Sequence, residues 1–168
     1  MASQSDFEAA LSYALKCVGK EGLKLKAEQR EVIREVYNGN DVFVWLPTGF
    51  GKSLCFECLP FMFDMKLGRV TGGNRSVVIV VSPLVSLMVD QVSNLMSRGV
   101  SAAIMSSQRE VDKKLLVSEQ RMGMHRLLFA APEAVIGERK WREKLSEAPL
   151  HNHIVAIAVD EAHCVSKW

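Results

Sequence analysis

Apolar residues in this chain fall into two alternating patterns, short solid runs and longer stretches with helical spacing. The runs occupy residues 42–46, 77–81, 102–105, 127–131 and 154–159, each of strand length, most rich in β-branched or aromatic side chains. Between them, residues 25–37, 51–65, 86–97, 111–121 and 140–146 read as helices; in 86–97 the apolar positions are Leu87, Val89, Val92, Leu95 and Met96. Asn38-Gly39-Asn40-Asp41 marks a turn before the first run, and Gly72-Gly73-Asn74 a loop before the second. Strands that are apolar on both faces and alternate with helices predict an α/β fold, a parallel sheet covered on each side with right-handed crossovers. Ligands of such a sheet sit at the carboxyl ends of its strands. No internal repeat or linker divides the pattern. Residues 1–22 read as a helical extension and residues 23–168 as one domain.

Composition adds limits. The 168 residues are 48% hydrophobic and 24% charged, enough for one real core. Twenty-one basic residues against 19 acidic ones leave a net charge of +2, so any contact with nucleic acid must be local and not driven by a broad field. The apolar runs are far too short to span a membrane, and an amino terminus carrying Asp6 and Glu8 suits neither a secretory signal nor a transit peptide. A soluble intracellular protein is expected, with Cys17, Cys55, Cys58 and Cys164 reduced. Cys55 and Cys58 form a C-x-x-C without a second pair at zinc spacing, inside a predicted helix, which favours packing thiols over a metal or redox site.

The strongest chemical signal is Pro47-Thr48-Gly49-Phe50-Gly51-Lys52-Ser53, where a predicted strand turns into a predicted helix. Glycines there allow a tight turn and close backbone approach, so amide N–H groups can surround phosphate oxygens. Lys52 can bridge the β and γ phosphates, and the Ser53 hydroxyl can complete a Mg2+ shell. Leu46 stands where the fullest form of the pattern has glycine. A second signal, Ala158-Val159-Asp160-Glu161-Ala162-His163, puts an acidic pair at the end of an apolar strand. In phosphoryl transfer Asp160 would hold Mg2+, directly or through water, and Glu161 would polarise the attacking water, with His163 near the γ-phosphate. Alone, the pair would be better read as an acidic helix cap; its place about a hundred residues after a phosphate loop, on the expected kind of strand, favours catalysis.

With these motifs in hand, the chain resembles the RecQ-like DNA helicases of superfamily 2, from about Leu23 to Trp168. Residues 46–56 resemble the family's first motif, including its missing glycine, residues 81–92 its motif Ia, residues 128–133 its motif Ib, and residues 160–168 its acidic box with the Cys-x-Ser-x-Trp that follows. The resemblance implies the first RecA-like lobe of a P-loop motor, with ATP and Mg2+ as cofactors and single-stranded or forked DNA as a sequence-independent partner. It also implies unwinding in the 3′-to-5′ direction, roles in DNA repair and recombination, and a nuclear location if the source is eukaryotic, otherwise cytoplasmic.

Residue by residue, it places Ser82, Pro83, Leu84, Pro132 and Glu133 on a path for the DNA backbone; for each of these a strand end or helix start is the plainer reading. It gives Gln29 and Lys26 to the adenine site. There the family's Phe-Arg pair is Leu25-Lys26 and its stacking aromatic is Gly22, which implies weak adenine selection. No segment matches the family's motif III strand, its second lobe or that lobe's arginine fingers, so a fragment of a motor is expected, with strand 154–159 partly exposed. A nucleotide-binding or interaction module without turnover is the competing function.

Overall fold

The protein is described by a computed structural model covering residues 3–71, 75–106, 124–148 and 150–161. It divides into two compact units, Met1–Ser76 and Val77–Trp168.

The first unit is helical. Helix α1, Gln4–Cys17, starts at Ser3, whose hydroxyl accepts a hydrogen bond from the Asp6 amide at 3.1 Å. Its stripe of Phe7, Ala10, Leu11, Ala14 and Leu15 is buried, with helix α4 (Leu59–Lys66) packed beside it. Helix α2, Ala27–Asn38, is closed by Gly39 and buries Ile33 and Tyr37. The Tyr37 ring stands edge-on to both Phe7 and Phe63, with 5.8 Å between centroids in each pair. Buried Asp64 accepts the Ser76 amide hydrogen at 2.7 Å, tying α4 to the end of this unit.

Two expectations fail here. The helix expected over residues 51–65 is two helices, α3 (Ser53–Glu57) and α4 (Leu59–Lys66), parted at Cys58. Pro60 explains the break: it has no amide hydrogen for the Phe56 carbonyl, and its ring crowds that carbonyl. Residues 42–46, expected as the strand before the phosphate loop, form no strand. Val42, Val44 and Leu46 are half-buried, whereas Phe43 and Trp45 are 76% and 87% exposed. The pattern is strand-like, but no neighbouring strand takes up its backbone groups, and without a ladder an apolar run is only an extended segment.

The second unit is the sheet. Strands β1 (Val77–Val81), β2 (Ala102–Met105), β3 (Leu127–Ala130) and β4 (Ile154–Val159) are parallel and ordered β2-β3-β1-β4. Every residue of β1, β2 and β3 is buried, as solid apolar runs require. One face holds Ile79, Val81, Met105 and Leu128 around the buried ring of Trp141 from helix α7 (Arg139–Ser146). Helix α5 (Val85–Ser97) packs on β2 and β3, and its buried Met88, Val92 and Leu95 do not join the Trp141 cluster, so it covers the other face. The short helix α6 (Pro132–Ile136) follows β3. The helix expected over 111–121 lies outside the described residues. None of the described helices is long and apolar enough to cross a membrane.

Among the described residues β4 pairs only with β1, and its Ile157 and Val159 are 67% and 44% exposed. A bare apolar edge is a template for pairing with another chain. Ile157→Lys is therefore expected to reduce concentration-dependent self-association while changing stability by less than about 0.5 kcal/mol, since the side chain is already mostly in water. Sedimentation velocity over a concentration series checks this; a wild-type chain that stays monomeric throughout would contradict it.

Candidate active site

In the first unit the phosphate-loop candidate is a backbone turn. The Phe50 amide donates to the Pro47 carbonyl at 3.2 Å, and Gly49 and Gly51 have φ of +78° and +86°, where any side chain would strain the backbone. The chain then enters α3 with Ser53 as its first residue; Leu54 and Cys55 amides donate to the Gly51 and Lys52 carbonyls at 3.2 and 3.0 Å. Pro47, Thr48 and Gly49 are exposed. The Lys52 ammonium folds back over the start of the loop, donating to the carbonyls of Leu46 at 2.8 Å and Pro47 at 3.3 Å. Those two oxygens place a cation beside the glycine turn.

Gln29 lies in the first turn of α2 and is buried. Its amide nitrogen donates to the Phe50 and Gly51 carbonyls, 3.1 Å each, while its oxygen accepts the Lys26 amide hydrogen at 3.0 Å. Both N–H groups of the carboxamide are thus engaged by the loop. A methyl group on Gly51 would stand 2.8 Å from Gln29 Nε2, so the glycine and the glutamine fit each other. The Lys26 ammonium lies 3.8 Å from the centre of the Phe50 ring. Gly22 has nothing within 4 Å of where its Cβ would be, and it lines a cavity of about 450 Å³ with Leu23, Lys24, Leu25 and residues of α1. Cys55 and Cys58 are buried and in no disulfide, and burial pushes the Cys55 thiol up to about 11, so it stays protonated and packs as an apolar group.

In the second unit the other motifs share the carboxyl edge of the sheet. The Ser82 amide donates to Ala130 at 3.0 Å, and the Asp160 amide to Val81 at 2.8 Å. These bonds carry the ladder one residue past β1 and past β4. The residues that follow β3 (Pro132, Glu133), β1 (Ser82, Pro83, Leu84) and β4 (Asp160, Glu161) therefore emerge side by side. Leu84 and Glu133 are exposed and Pro83 half-buried, whereas Ser82 and Pro132 are buried. His163 lies outside the described residues.

The Asp160 carboxylate is held at both oxygens. Oδ1 accepts the Glu161 amide hydrogen at 3.0 Å, and Oδ2 accepts from Gln91 Nε2 at 3.2 Å. Glu161 has φ of +53°, the one positive value at a described residue other than glycine, so a left-handed kink turns the chain immediately after the acid. Gln91 is the residue that the motif reading passed over. A signal for it exists, because it borders the buried stripe of Met88, Val92 and Leu95 on α5, three residues after Met88 and four before Leu95, and is itself half-buried.

Among the described residues no cluster of three or more acidic, histidine or cysteine side chains could hold a metal alone. Mg2+ does not need one, since it keeps several waters and is usually bound through one or two carboxylates plus substrate phosphates.

Comparison with known proteins identifies the family. Residues 26–168 match the DEAD/DEAH box helicase family. The ATP-dependent helicase SGS1 of Saccharomyces cerevisiae is 36% identical over 148 residues, 85% of this chain and 10% of that protein. The ATP-dependent helicase wrn-1 of Caenorhabditis elegans is 36% identical over 166 residues, 96% of this chain and 14% of the relative. The ATP-dependent DNA helicase RecQ of Haemophilus influenzae is 33% identical over 141 residues, 83% of this chain and 20% of the relative. The chain thus spans a fifth or less of the length of these relatives. It belongs to the DEAD/DEAH box helicases, and RecQ-type DNA helicases are its homologues.

Proposed function

We propose that this chain binds Mg-ATP as the first RecA-like lobe of a DNA helicase, coupling hydrolysis to movement along single-stranded DNA and to 3′-to-5′ unwinding in the complete motor. The observation that carries the reading is the glycine turn of residues 47–53, with Lys52 beside it and Ser53 opening α3. Residues 23–168 would form this lobe, preceded by the extension 1–22, with a nuclear location in a eukaryotic source.

In this reading amide N–H groups of the glycine turn would surround phosphate oxygens, and the Lys52 ammonium would exchange the Leu46 and Pro47 carbonyls for the β and γ phosphates. Ser53 and Asp160 hold the Mg2+, which neutralises charge on the phosphates when bound. Glu161 orients the attacking water and draws off its proton. His163 would serve near the γ-phosphate and couple nucleotide state to the DNA. Leu84, Pro83 and Glu133 offer the DNA backbone a surface at the sheet edge, with Ser82 and Pro132 shaping it from beneath; backbone contact of this kind carries no sequence preference. Arginine fingers from a second lobe would stabilise charge at the γ-phosphate.

Base recognition is expected to be weak. Gln29 uses both amide hydrogens on the loop, Lys26 sits on Phe50, and Gly22 offers no ring for stacking. Loop, lysine and metal then supply the affinity, and the base contributes little.

Three outcomes test the reading. Lys52→Ala should weaken Mg-ATP binding by at least about tenfold, the value of one charge-assisted hydrogen bond, with an unchanged circular dichroism spectrum; near-wild-type affinity in a fluorescent-nucleotide titration would sink it. Glu161→Gln should keep Mg-ATP affinity and lose single-turnover hydrolysis with single-stranded DNA present, because the amide keeps the shape but cannot take a proton; an equal loss of binding would make Glu161 structural. GTP and CTP should displace a fluorescent ATP analogue at concentrations within about tenfold of those ATP needs, a difference of about 1.4 kcal/mol, and a much larger preference for ATP would contradict base-independent binding.

A further inference from the structure

Gln91 has two ends with different fates. Its nitrogen meets Asp160 Oδ2 at 3.2 Å, and its buried carbonyl oxygen has no hydrogen-bond partner among the described residues. The orientation follows from chemistry, because only the NH2 end of the amide can donate to an ionised carboxylate. A half-buried polar side chain beside the apolar stripe of α5, with its buried acceptor unanswered, is a poor way to pack a helix, since buried acceptors normally find a donor. Ser82 Oγ is a second buried polar atom with no partner, and Ser82 directly follows Val81, the residue that receives the Asp160 amide hydrogen. Unanswered polar atoms therefore flank Asp160 from both α5 and β1. Waters on Mg2+ are strong, geometrically fixed donors, and the ion retains several of them when protein-bound.

We propose that Gln91 is a positioning residue for Mg2+ capture, its Nε2 holding Asp160 Oδ2 in place and its carbonyl Oε1 accepting a hydrogen bond from a water of the ion's hydration shell. This rests on the assignment of Asp160 to the metal. Gln91 then acts on the ion twice, through the acid it orients and through the water it receives, without being a direct ligand. A purely packing role for Gln91 would show in stability and not in metal dependence.

The test uses the full 168-residue chain and two readouts that need no turnover: the Mg2+ concentration that half-saturates the metal-dependent binding of a fluorescent ATP analogue, and Mn2+ binding followed by electron paramagnetic resonance in the presence of ATP. Gln91→Leu is expected to raise the Mg2+ requirement about tenfold, the loss of a hydrogen bond to a charged group, with an equal fall in Mn2+ affinity and unchanged nucleotide binding in EDTA. Gln91→Asn, polar but one methylene too short to reach Asp160, should reproduce the shift and covers the case in which the leucine variant does not fold. Asp160→Asn sets the reference, and adding Gln91→Leu to it should bring little further change. If Asp160→Asn raises the Mg2+ requirement and both Gln91 variants keep the wild-type value, the role of Gln91 is overturned and the assignment of Asp160 stands. A Gln91 effect that persists at full size in the Asp160→Asn background also overturns it. A wild-type requirement in Asp160→Asn itself removes the metal from Asp160 and takes this proposal with it.

Discussion

Everything chemical in the second unit depends on one feature of backbone hydrogen bonding: the parallel ladder does not stop where the strands stop. The Ser82 and Asp160 amides continue it beyond β1 and β4, onto Ala130 and Val81. In a parallel sheet all strands end at the same side, so any residue held by that extra bond is delivered to a common edge. Motifs about eighty residues apart in sequence, at Ser82 and Asp160, become neighbours without any side chain contributing. The bulk behind them, Trp141 on one face and α5 on the other, keeps that edge rigid by burying β1 to β3 completely.

The strands of this sheet were legible because burial on both faces leaves a mark that a short window can hold. Residues 77–81 and 154–159 were bounded correctly from composition alone, and 86–97 within one residue of the helix Val85–Ser97. The same cue misled at residues 42–46. Val-Phe-Val-Trp-Leu has the composition of a strand, yet strand identity belongs to a pair of segments, and the ladder that would make it one is absent from a window of five residues. The break at Cys58 was readable in principle, since Pro60 stands in the middle of the expected helix; apolar spacing continues on both sides of it and hid the interruption.

For the candidate site, the division follows the range of the interactions. The glycine turn and the acidic pair are local and appear as motifs, because backbone conformation and neighbouring side chains carry them. The partners that hold them are not local. Gln29 reaches the loop from 21 and 22 residues away, and Gln91 reaches Asp160 across 69. Each is a glutamine in a helix; the resemblance marks Gln29 and the apolar spacing of α5 marks Gln91, but which loop or acid each one holds shows only in space. The positive φ of Glu161 is likewise invisible in sequence, where a glutamate at that point looks like any other.

The tight fit of Gly51 against Gln29 has a consequence for how this loop can change over time. A side chain at position 51 would meet the strain of a φ of +86° and, at 2.8 Å, the end of the Gln29 side chain, which would have to shift. A shorter residue at position 29 would leave the Phe50 and Gly51 carbonyls to their remaining donors, the Lys26 ammonium and the Leu54 amide. The glutamine therefore has a structural reason to be there apart from any base, so its retention in a sequence is weak testimony about which nucleotide the protein selects.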